Sequence, residues 1–210
     1  LKRWEGEKIY NYSYFPGRAT RYPIYFHTQM ESGQNLLRNL REHNITVMGW
    51  DLDTYEKFYS PVLWWYDTVL DTAPEEYDLY AFNYKMVTSL FRLGAMEQNA
   101  WLSEWSREYL PDYDAIQLNA ATAESKGLRD GDIVVVESQW GKTQGRLKTT
   151  QTCHPQSVAI GGALGRLVST IGKKQEGAVH FNRLMTGDFG TFDPITGGVE
   201  TTVRVKIYKA

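Results

Sequence analysis

The stretch LNAATAESKGLRDGDIVVVESQWG, near the middle of the chain, constrains the fold more than any other part of this sequence. Asn119 is a favourable N-cap, and residues 120–126 are mostly good helix formers. Gly127 follows the predicted helix end, where a positive φ is usual, and Leu128 can fold back on Ala123 in a Schellman-type cap. The pattern therefore predicts a short helix that ends before Gly127.

Turn and strand signals follow this helix directly. Asp130 and Gly131 favour a tight turn. Residues 133–136 are Ile-Val-Val-Val, a β-branched run without polar alternation, which predicts a strand that is covered on both faces. A second turn at residues 139–142 reverses the chain into a partner strand at residues 143–150.

Regular patterns continue on both sides of this hairpin, from residue 76 to the end of the chain. The sequence TTVRVKIY places Val203, Val205 and Ile207 on one face of a final strand. Short strands separated by turns indicate a closed β-barrel with small helices. We predict strands at residues 78–83, 114–118, 158–160 and 201–208, a helix at residues 97–105, and an exposed loop at residues 170–177.

Residues 1–76 are rich in aromatic side chains and have little periodicity. They offer one predicted strand, residues 22–27, and one predicted helix, residues 35–43. Large aromatic surfaces of this kind usually pack on something else. We therefore predict two parts, with residues 1–76 as an irregular tail of a preceding domain and its connection, and residues 77–210 as the barrel domain.

The composition excludes several classes of function. The 23 basic and 25 acidic residues leave a net charge of -2, which gives no electrostatic reason to expect nucleic acid as a partner. No apolar run approaches the roughly 20 residues of a membrane-spanning helix, so we expect no span in this chain. Cys153 is the single cysteine and the four histidines lack metal-ligand spacing. We predict neither catalytic residues nor a metal site, but a binding surface.

The motifs of the barrel region resemble those of one family. Asn119, Ala123 and the D-G-D-x-V-x-V-x-S run from Asp130 are similar to the C-terminal molybdopterin-dinucleotide-binding domain of the dimethyl-sulfoxide-reductase family of molybdenum and tungsten oxidoreductases. The N-x-W-L-x-E run from Asn99 and the F-N-R-L-M segment around Asn182 strengthen the resemblance. It implies a mainly β fold with short helices, a six-stranded double-psi β-barrel of the aspartate-decarboxylase-like type.

The resemblance also indicates which loops hold the cofactor. Asn182 offers an amide donor and a carbonyl acceptor, which match a pterin edge as Asp or Ser could not. The loop after the first barrel strand is dense in polar groups, and ligands are often bound by loops at strand ends. The candidate cofactor-binding residues are Lys85, Thr88, Ser89, Asn99, Trp101, Ser138, Gln139 and Asn182.

Several candidates have a simpler structural interpretation. Asn99 fits a helix cap as well as a ligand contact. For Trp101 a place in the core is favoured over a contact with the cofactor. Ser138 and Gln139 lie on the predicted hairpin, and a role in the turn is favoured over contact with the nucleotide.

By resemblance, the chain is the C-terminal part of an oxidoreductase catalytic subunit that is inactive alone. The whole enzyme would hold bis(molybdopterin guanine dinucleotide) with Mo or W, and a [4Fe–4S] cluster in an upstream domain. Its partners would be the upstream domains and an iron–sulfur electron-transfer subunit. Such enzymes transfer two electrons with an oxygen or sulfur atom, and some branches, including ones in anaerobic respiration, reduce sulfur or arsenic oxyanions. Periplasmic and cytoplasmic locations are both open.

Two alternative interpretations keep the barrel fold but give the chain a different function. One is a non-enzymatic double-psi barrel that serves as an adaptor module, and the other is a free-standing small subunit that binds the cofactor in a larger complex. The segments around Asn99 and Asn182 favour the oxidoreductase, because an adaptor barrel does not need both. A cysteine cluster and an earlier dinucleotide domain upstream in the same reading frame would separate a fragment from a subunit.

The predicted division can be tested by limited proteolysis. We expect a protease to trim residues 1–76 and to leave residues 77–210 intact, because a closed barrel protects its backbone better than an irregular tail does. Mass spectrometry of the time course identifies the surviving core. Equal resistance of the N-terminal part would contradict the division.

Overall fold

The computed structural model of the chain describes residues 2–5, 8–11, 26–47, 51–62, 65–88, 99–110, 112–162, 179–193 and 195–210. The chain forms two compact units, Leu1–Trp65 and Tyr66–Ala210. The boundary between these units differs from the predicted domain division at residue 76, which stays a prediction. The first barrel strand begins at Leu79.

The N-terminal unit contains more regular structure than its sequence indicated. Strands β1 (Lys2–Glu5) and β2 (Lys8–Asn11) form an antiparallel pair. Helices α1 (His27–Glu42) and α2 (Leu52–Phe58) follow. The helix predicted at residues 35–43 is thus present but begins at His27. The strand predicted at residues 22–27 is wrong at His27, and residues 22–25 lie outside the described residues.

The C-terminal unit contains six strands and two α-helices among its described residues. Each predicted strand and helix of this region is confirmed where the structure describes it, with ends that differ by a few residues. Residues 97–98 of the helix predicted at residues 97–105 lie outside the described residues. The exposed loop predicted at residues 170–177 lies outside the described residues. The elements are β3 (Leu79–Tyr84), α3 (Ala100–Tyr109), β4 (Ile116–Asn119), α4 (Ala120–Ser125), β5 (Ile133–Glu137), β6 (Lys142–Thr150), β7 (Ser157–Gly161) and β8 (Thr202–Lys209), with 3-10 helices at Phe181–Leu184 and Phe189–Thr191.

The six strands close into a barrel in the order β3-β7-β4-β6-β5-β8. β3 pairs with β7 and β4 pairs with β6 in parallel, whereas the four other pairings are antiparallel. Parallel neighbours require crossover connections rather than tight hairpins. The fold is the six-stranded double-psi β-barrel that the sequence predicts.

The pairing directions define two ends of the barrel. Strands β3, β5 and β7 run in one direction, and β4, β6 and β8 run in the other. The carboxyl ends of the first three and the amino ends of the other three therefore lie at one end, which we call rim A. The opposite end, rim B, carries the Asp130–Gly131 turn and helix α4.

The barrel interior is filled by one face of each strand. In β5, Val134 and Val136 are completely buried, whereas 46% of Ile133 is exposed. The prediction that residues 133–136 are covered on both faces is therefore wrong, because the outer face of this strand meets solvent. In β8, Val203, Val205 and Ile207 are buried as predicted. Burial of each such side chain contributes about 1.5–3 kcal/mol.

Helix α4 has both predicted caps. The side-chain oxygen of Asn119 accepts a hydrogen bond from the amide of Ala121 at 3.0 Å. At the other end, the amide of Leu128 donates to the carbonyl of Ala123 at 2.8 Å, which is the Schellman arrangement. Gly127 has a φ of +68°. The caps fix both ends of this short helix.

Replacement of Gly127 by alanine tests this cap. We expect Gly127→Ala to lower the free energy of unfolding by about 1 kcal/mol, because an L-residue is strained at a positive φ. Gly187 is the matched control, since its added methyl would also meet nothing within 4 Å and its φ is not in the left-handed region. Chemical denaturation measures both variants, and equal effects would argue against the cap.

Candidate functional site

Rim A brings together loops that are far apart in the sequence. Lys85 and Thr88 follow β3, and Ser138 and Gln139 connect β5 to β6. Asn182 lies in the 3-10 helix Phe181–Leu184, which contacts β6. Five of the eight predicted site residues therefore lie at one end of the barrel. Of the other three, Ser89 lies outside the described residues.

Thr88 joins the loop after β3 to helix α3. Its side chain is buried, and its hydroxyl lies 2.8 Å from the hydroxyl of Ser106, the buried residue of that helix. Ser106 also donates to the carbonyl of Leu102 at 2.7 Å. Thr88 thus has a clear positioning role for α3. Lys85, three residues earlier in the chain, is exposed.

Asn99 is the N-cap of α3. Its side-chain oxygen accepts a hydrogen bond from the amide of Leu102 at 3.1 Å. This is the structural interpretation that the sequence left open beside a ligand contact. The cap uses only the oxygen, so the N–H donors of the same amide can still serve a ligand.

Trp101 is exposed over 83% of its surface, so its predicted place in the core is wrong. Helix α3 turns Ser106 inward instead, through its contact with Thr88. Trp101, Trp105 and Tyr109 are spaced four residues apart, which places them along one side of the helix. All three are exposed, and the rings of Trp105 and Tyr109 lie 5.2 Å apart.

Ser138 is buried in the turn between β5 and β6. Its hydroxyl lies 2.7 Å from the carbonyl oxygen of Leu184 and 3.2 Å from the amide nitrogens of Trp140 and Gly141. These contacts fasten the hairpin to the 3-10 helix that carries Asn182. The structural role favoured for Ser138 is therefore present, and the neighbouring Gln139 is exposed.

Gly141 brings this hairpin into close contact with the same 3-10 helix. A Cβ atom at Gly141 would lie 2.3 Å from the carbonyl oxygen of Arg183, so the backbone fits only around a glycine. Arg183 itself is exposed, as is Lys142 at the start of β6. Together with Lys85 they give rim A three exposed cations, which suit an anionic ligand.

Asn182 is one of three exposed predicted residues at rim A, with Lys85 and Gln139. Its side chain is exposed. Among the described residues, its amide group has no hydrogen-bond partner. The 3-10 helix around it is held by the buried side chains of Phe181 and Leu184. The 3-10 helix thus presents an amide that can both donate and accept.

A cavity of about 280 Å³ opens at rim A between β3, β4 and the end of α3. Gln117 donates a hydrogen bond from Nε2 to the hydroxyl of Tyr84 at 2.8 Å. Burial raises the pKa of the Tyr84 hydroxyl above its usual value. Asp112 also lines the cavity and pairs with Arg146 at 3.0 Å. The sequence analysis missed these residues, because no local motif connects them.

Cys153 lies away from rim A, before the start of β7. The thiol is buried, lies 3.2 Å from the carbonyl oxygen of Ser157, and has a pKa raised by burial. A buried, protonated thiol is a poor nucleophile. In the described part of the chain, no three His, Cys, Asp or Glu residues are grouped so that they could hold a metal ion.

None of the helices in the described ranges is both long enough and apolar enough to cross a membrane.

A closed double-psi barrel whose loops gather polar and cationic groups at one rim defines a ligand-binding domain. The family model described as "Molydopterin dinucleotide binding domain" matches residues 90–203, which is more than half of the chain. The chain belongs to this family.

The chain is also similar to solved structures. Acetylene hydratase from Pelobacter acetylenicus superposes with a TM-score of 0.58 at 21% sequence identity. The match covers 74% of this chain but 22% of that protein, so this chain spans about a fifth of its length. At this identity the likeness supports the fold alone. A search of curated proteins finds no match.

The role of Ser138 can be separated from a role in ligand binding. We expect Ser138→Ala to lower the free energy of unfolding by about 1–3 kcal/mol, because the carbonyl of Leu184 would lose its buried donor. Gln139→Ala is the neighbouring control and should have little effect, since Gln139 is exposed. Thermal and chemical denaturation measure both. An unchanged stability of Ser138→Ala would contradict the structural role.

Proposed function

We propose that this chain is the C-terminal cofactor-binding barrel of a larger molybdenum or tungsten oxidoreductase, and that rim A binds a molybdopterin dinucleotide. The observation that carries the proposal is the exposed amide of Asn182, which has no hydrogen-bond partner within the described part of the chain, at the rim of a barrel that belongs to the dinucleotide-binding family.

The groups at rim A fit the chemistry of this cofactor. A pterin is a flat heterocycle with N–H donors and a carbonyl acceptor along one edge, and the dinucleotide adds a diphosphate. Amide side chains match the pterin edge, because they carry both donors and an acceptor. Exposed cations such as Lys85, Lys142 and Arg183 match the diphosphate. The exposed ring of Trp101 offers a further flat surface.

Each predicted residue has a role in this proposal. Asn182 binds the pterin edge, and Lys85 neutralises phosphate charge. The amide N–H groups of Asn99 and the exposed Gln139 supply further donors. The remaining members of the predicted set are Thr88 and Ser138, which position the loops through their buried hydroxyls, and Trp101, whose exposed ring extends the contact surface. Ser89 lies outside the described residues and stays a predicted contact.

The reaction belongs to the proposed whole enzyme rather than to this chain. The bound metal cofactor, bis(molybdopterin guanine dinucleotide) with Mo or W, would supply two-electron transfer with an oxygen or sulfur atom. Upstream domains would provide the metal ligand and a [4Fe–4S] cluster, and an iron–sulfur subunit would exchange electrons. Sulfur or arsenic oxyanions are the proposed substrates. The family match supports this proposal over an adaptor barrel.

The test is replacement of Asn182 in the complete polypeptide. We expect Asn182→Ala to weaken retention of the dinucleotide about tenfold or more, because a donor and an acceptor to the pterin are lost together. The melting temperature of the cofactor-free protein should hardly change, since the side chain is exposed. Retention is measured as pterin released per protein after gel filtration.

Two further variants sharpen this test. Asn182→Asp keeps the acceptor but loses the donor, so it should retain the dinucleotide poorly as well. Gln151→Ala removes an exposed amide near rim B and should retain it fully. Full cofactor occupancy in Asn182→Ala would argue against the proposed role of this residue. A complete native polypeptide that contains neither pterin nor metal would overturn the proposed function.

A further inference from the structure

The 3-10 helix Phe181–Leu184 is too short to fix its own shape. The amide of Arg183 donates to the carbonyl of His180 at 3.2 Å. The amide of Met185 donates to the carbonyl of Asn182 at 3.3 Å. The hydrogen-bond geometry of a 3-10 helix is poorer than that of an α-helix, and a single turn gains little from propagation. The orientation of Asn182 therefore depends on contacts from outside this helix.

Apolar side chains anchor the segment around this helix in the barrel core. Val179, Phe181 and Leu184 are buried, and they belong to the same core cluster as the inward side chains of the strands. Gly145 of β6 leaves room for this segment, because an added Cβ there would lie 3.3 Å from the Cβ of Val179. Such contacts are not directional, so they hold the helix against the barrel without setting the direction of the Asn182 side chain.

Two buried hydroxyls of the β5–β6 hairpin supply directional contacts, one at each end of the helix. At its start, the amide of His180 donates to Thr143 Oγ1 at 2.8 Å. At its end, Ser138 Oγ donates to the carbonyl of Leu184 at 2.7 Å. Thr143 and Ser138 are each only 3% exposed. A buried polar group that loses its partner is costly, so both hydrogen bonds constrain the helix strongly.

The hydroxyl of Thr143 is not explained by the packing of the barrel. Thr143 lies opposite Val136 in the pairing of β5 with β6, and side chains at opposite positions share one face of a sheet. Val136 is completely buried on that face. A valine has the shape of threonine and would fill the position without a buried polar group. The bond to His180 is therefore the feature that distinguishes threonine from valine here.

We propose that Thr143 is a positioning residue for Asn182. Its hydroxyl fixes the start of the 3-10 helix, as that of Ser138 fixes the end, and the amide of Asn182 is thereby held in the orientation in which it meets its ligand. The inference rests on the proposed function, in which Asn182 binds the dinucleotide. Thr143 is buried, so it acts through Asn182 rather than by contact with the ligand. Such pre-organisation raises affinity, because less ordering is left to the binding step.

The first experiment measures hydrogen exchange in the cofactor-free complete polypeptide by mass spectrometry. Thr143→Val removes the acceptor of the His180 amide and keeps the shape of the side chain. We expect the amides of Arg183 and Met185 to exchange about tenfold faster in this variant, because the 3-10 turns that they close open more often. Thr143→Ser keeps the hydroxyl and should restore slow exchange.

Thr149→Val is the matched control for this experiment. Thr149 lies on the same strand near rim B, and its hydroxyl donates to the carboxylate of Asp130 at 3.1 Å. The same substitution there removes a hydrogen bond far from the 3-10 helix, so the exchange of Arg183 and Met185 should not change. If Thr143→Val speeds their exchange no more than Thr149→Val does, the proposal is overturned.

The second experiment is a double-mutant cycle on retention of the dinucleotide by the complete polypeptide, measured as pterin released per protein after gel filtration. We expect Thr143→Val alone to weaken retention about tenfold, because the amide of Asn182 is no longer pre-organised. In protein that already carries Asn182→Ala, the same change should add less than about twofold, because its route of action is gone. Thr143→Ser should retain the dinucleotide. An equal factor in both backgrounds would show a merely structural role and would overturn the proposal.

The outcomes are separable from those for the proposed function. Full retention in Thr143→Val, together with loss in Asn182→Ala, would refute the positioning role and leave the proposed function supported. Full retention in Asn182→Ala would overturn the proposed role of Asn182, and the positioning role with it. If circular dichroism shows that Thr143→Val does not fold, the same cycle is measured with Ser138→Ala, and an equal factor in both backgrounds again decides against the proposal.

Discussion

Closure of the barrel around a largely apolar interior is the constraint on which the rest of the C-terminal unit depends. Alternate residues such as Val134, Val136 and Val205 turn inward and are completely buried. A one-residue slip in any strand would exchange its inner and outer faces and expose this core. The register of all six strands is therefore fixed, and with it the position of every loop at the two rims.

The pairing directions place the D-G-D motif and the proposed ligand-binding groups at opposite ends of the barrel. The D-G-D turn and helix α4 lie at rim B, where the carboxylate of Asp130 accepts from the amide of Thr149 at 2.7 Å. That backbone hydrogen bond holds the pKa of Asp130 below its usual value, and the turn is thereby joined to β6. The motif that identifies the family is thus structural. The groups available to a ligand, Asn182 above all, project from the other end of the barrel.

Sequence reasoning succeeded where the physics is local and failed where burial depends on a distant neighbour. The caps at Asn119 and Gly127 and the alternation in β8 were predicted because each depends on residues within a few positions. Trp101 was misplaced because the side of α3 that faces the barrel is chosen by Thr88 and Ser106, eighteen positions apart. The uniform apolar run of β5 likewise concealed an exposed outer face at Ile133.

The sequence by itself determined the barrel class, the family resemblance and the loops that hold Asn182, because turn, cap and strand signals are read from neighbouring residues. Only the tertiary structure decided which groups form a cavity. Tyr84 and Gln117 are separated by 33 positions, and they meet at 2.8 Å because β7 lies between β3 and β4 and pairs with both. Such a meeting depends on the closure and shear of the whole barrel, which no local pattern of residues encodes.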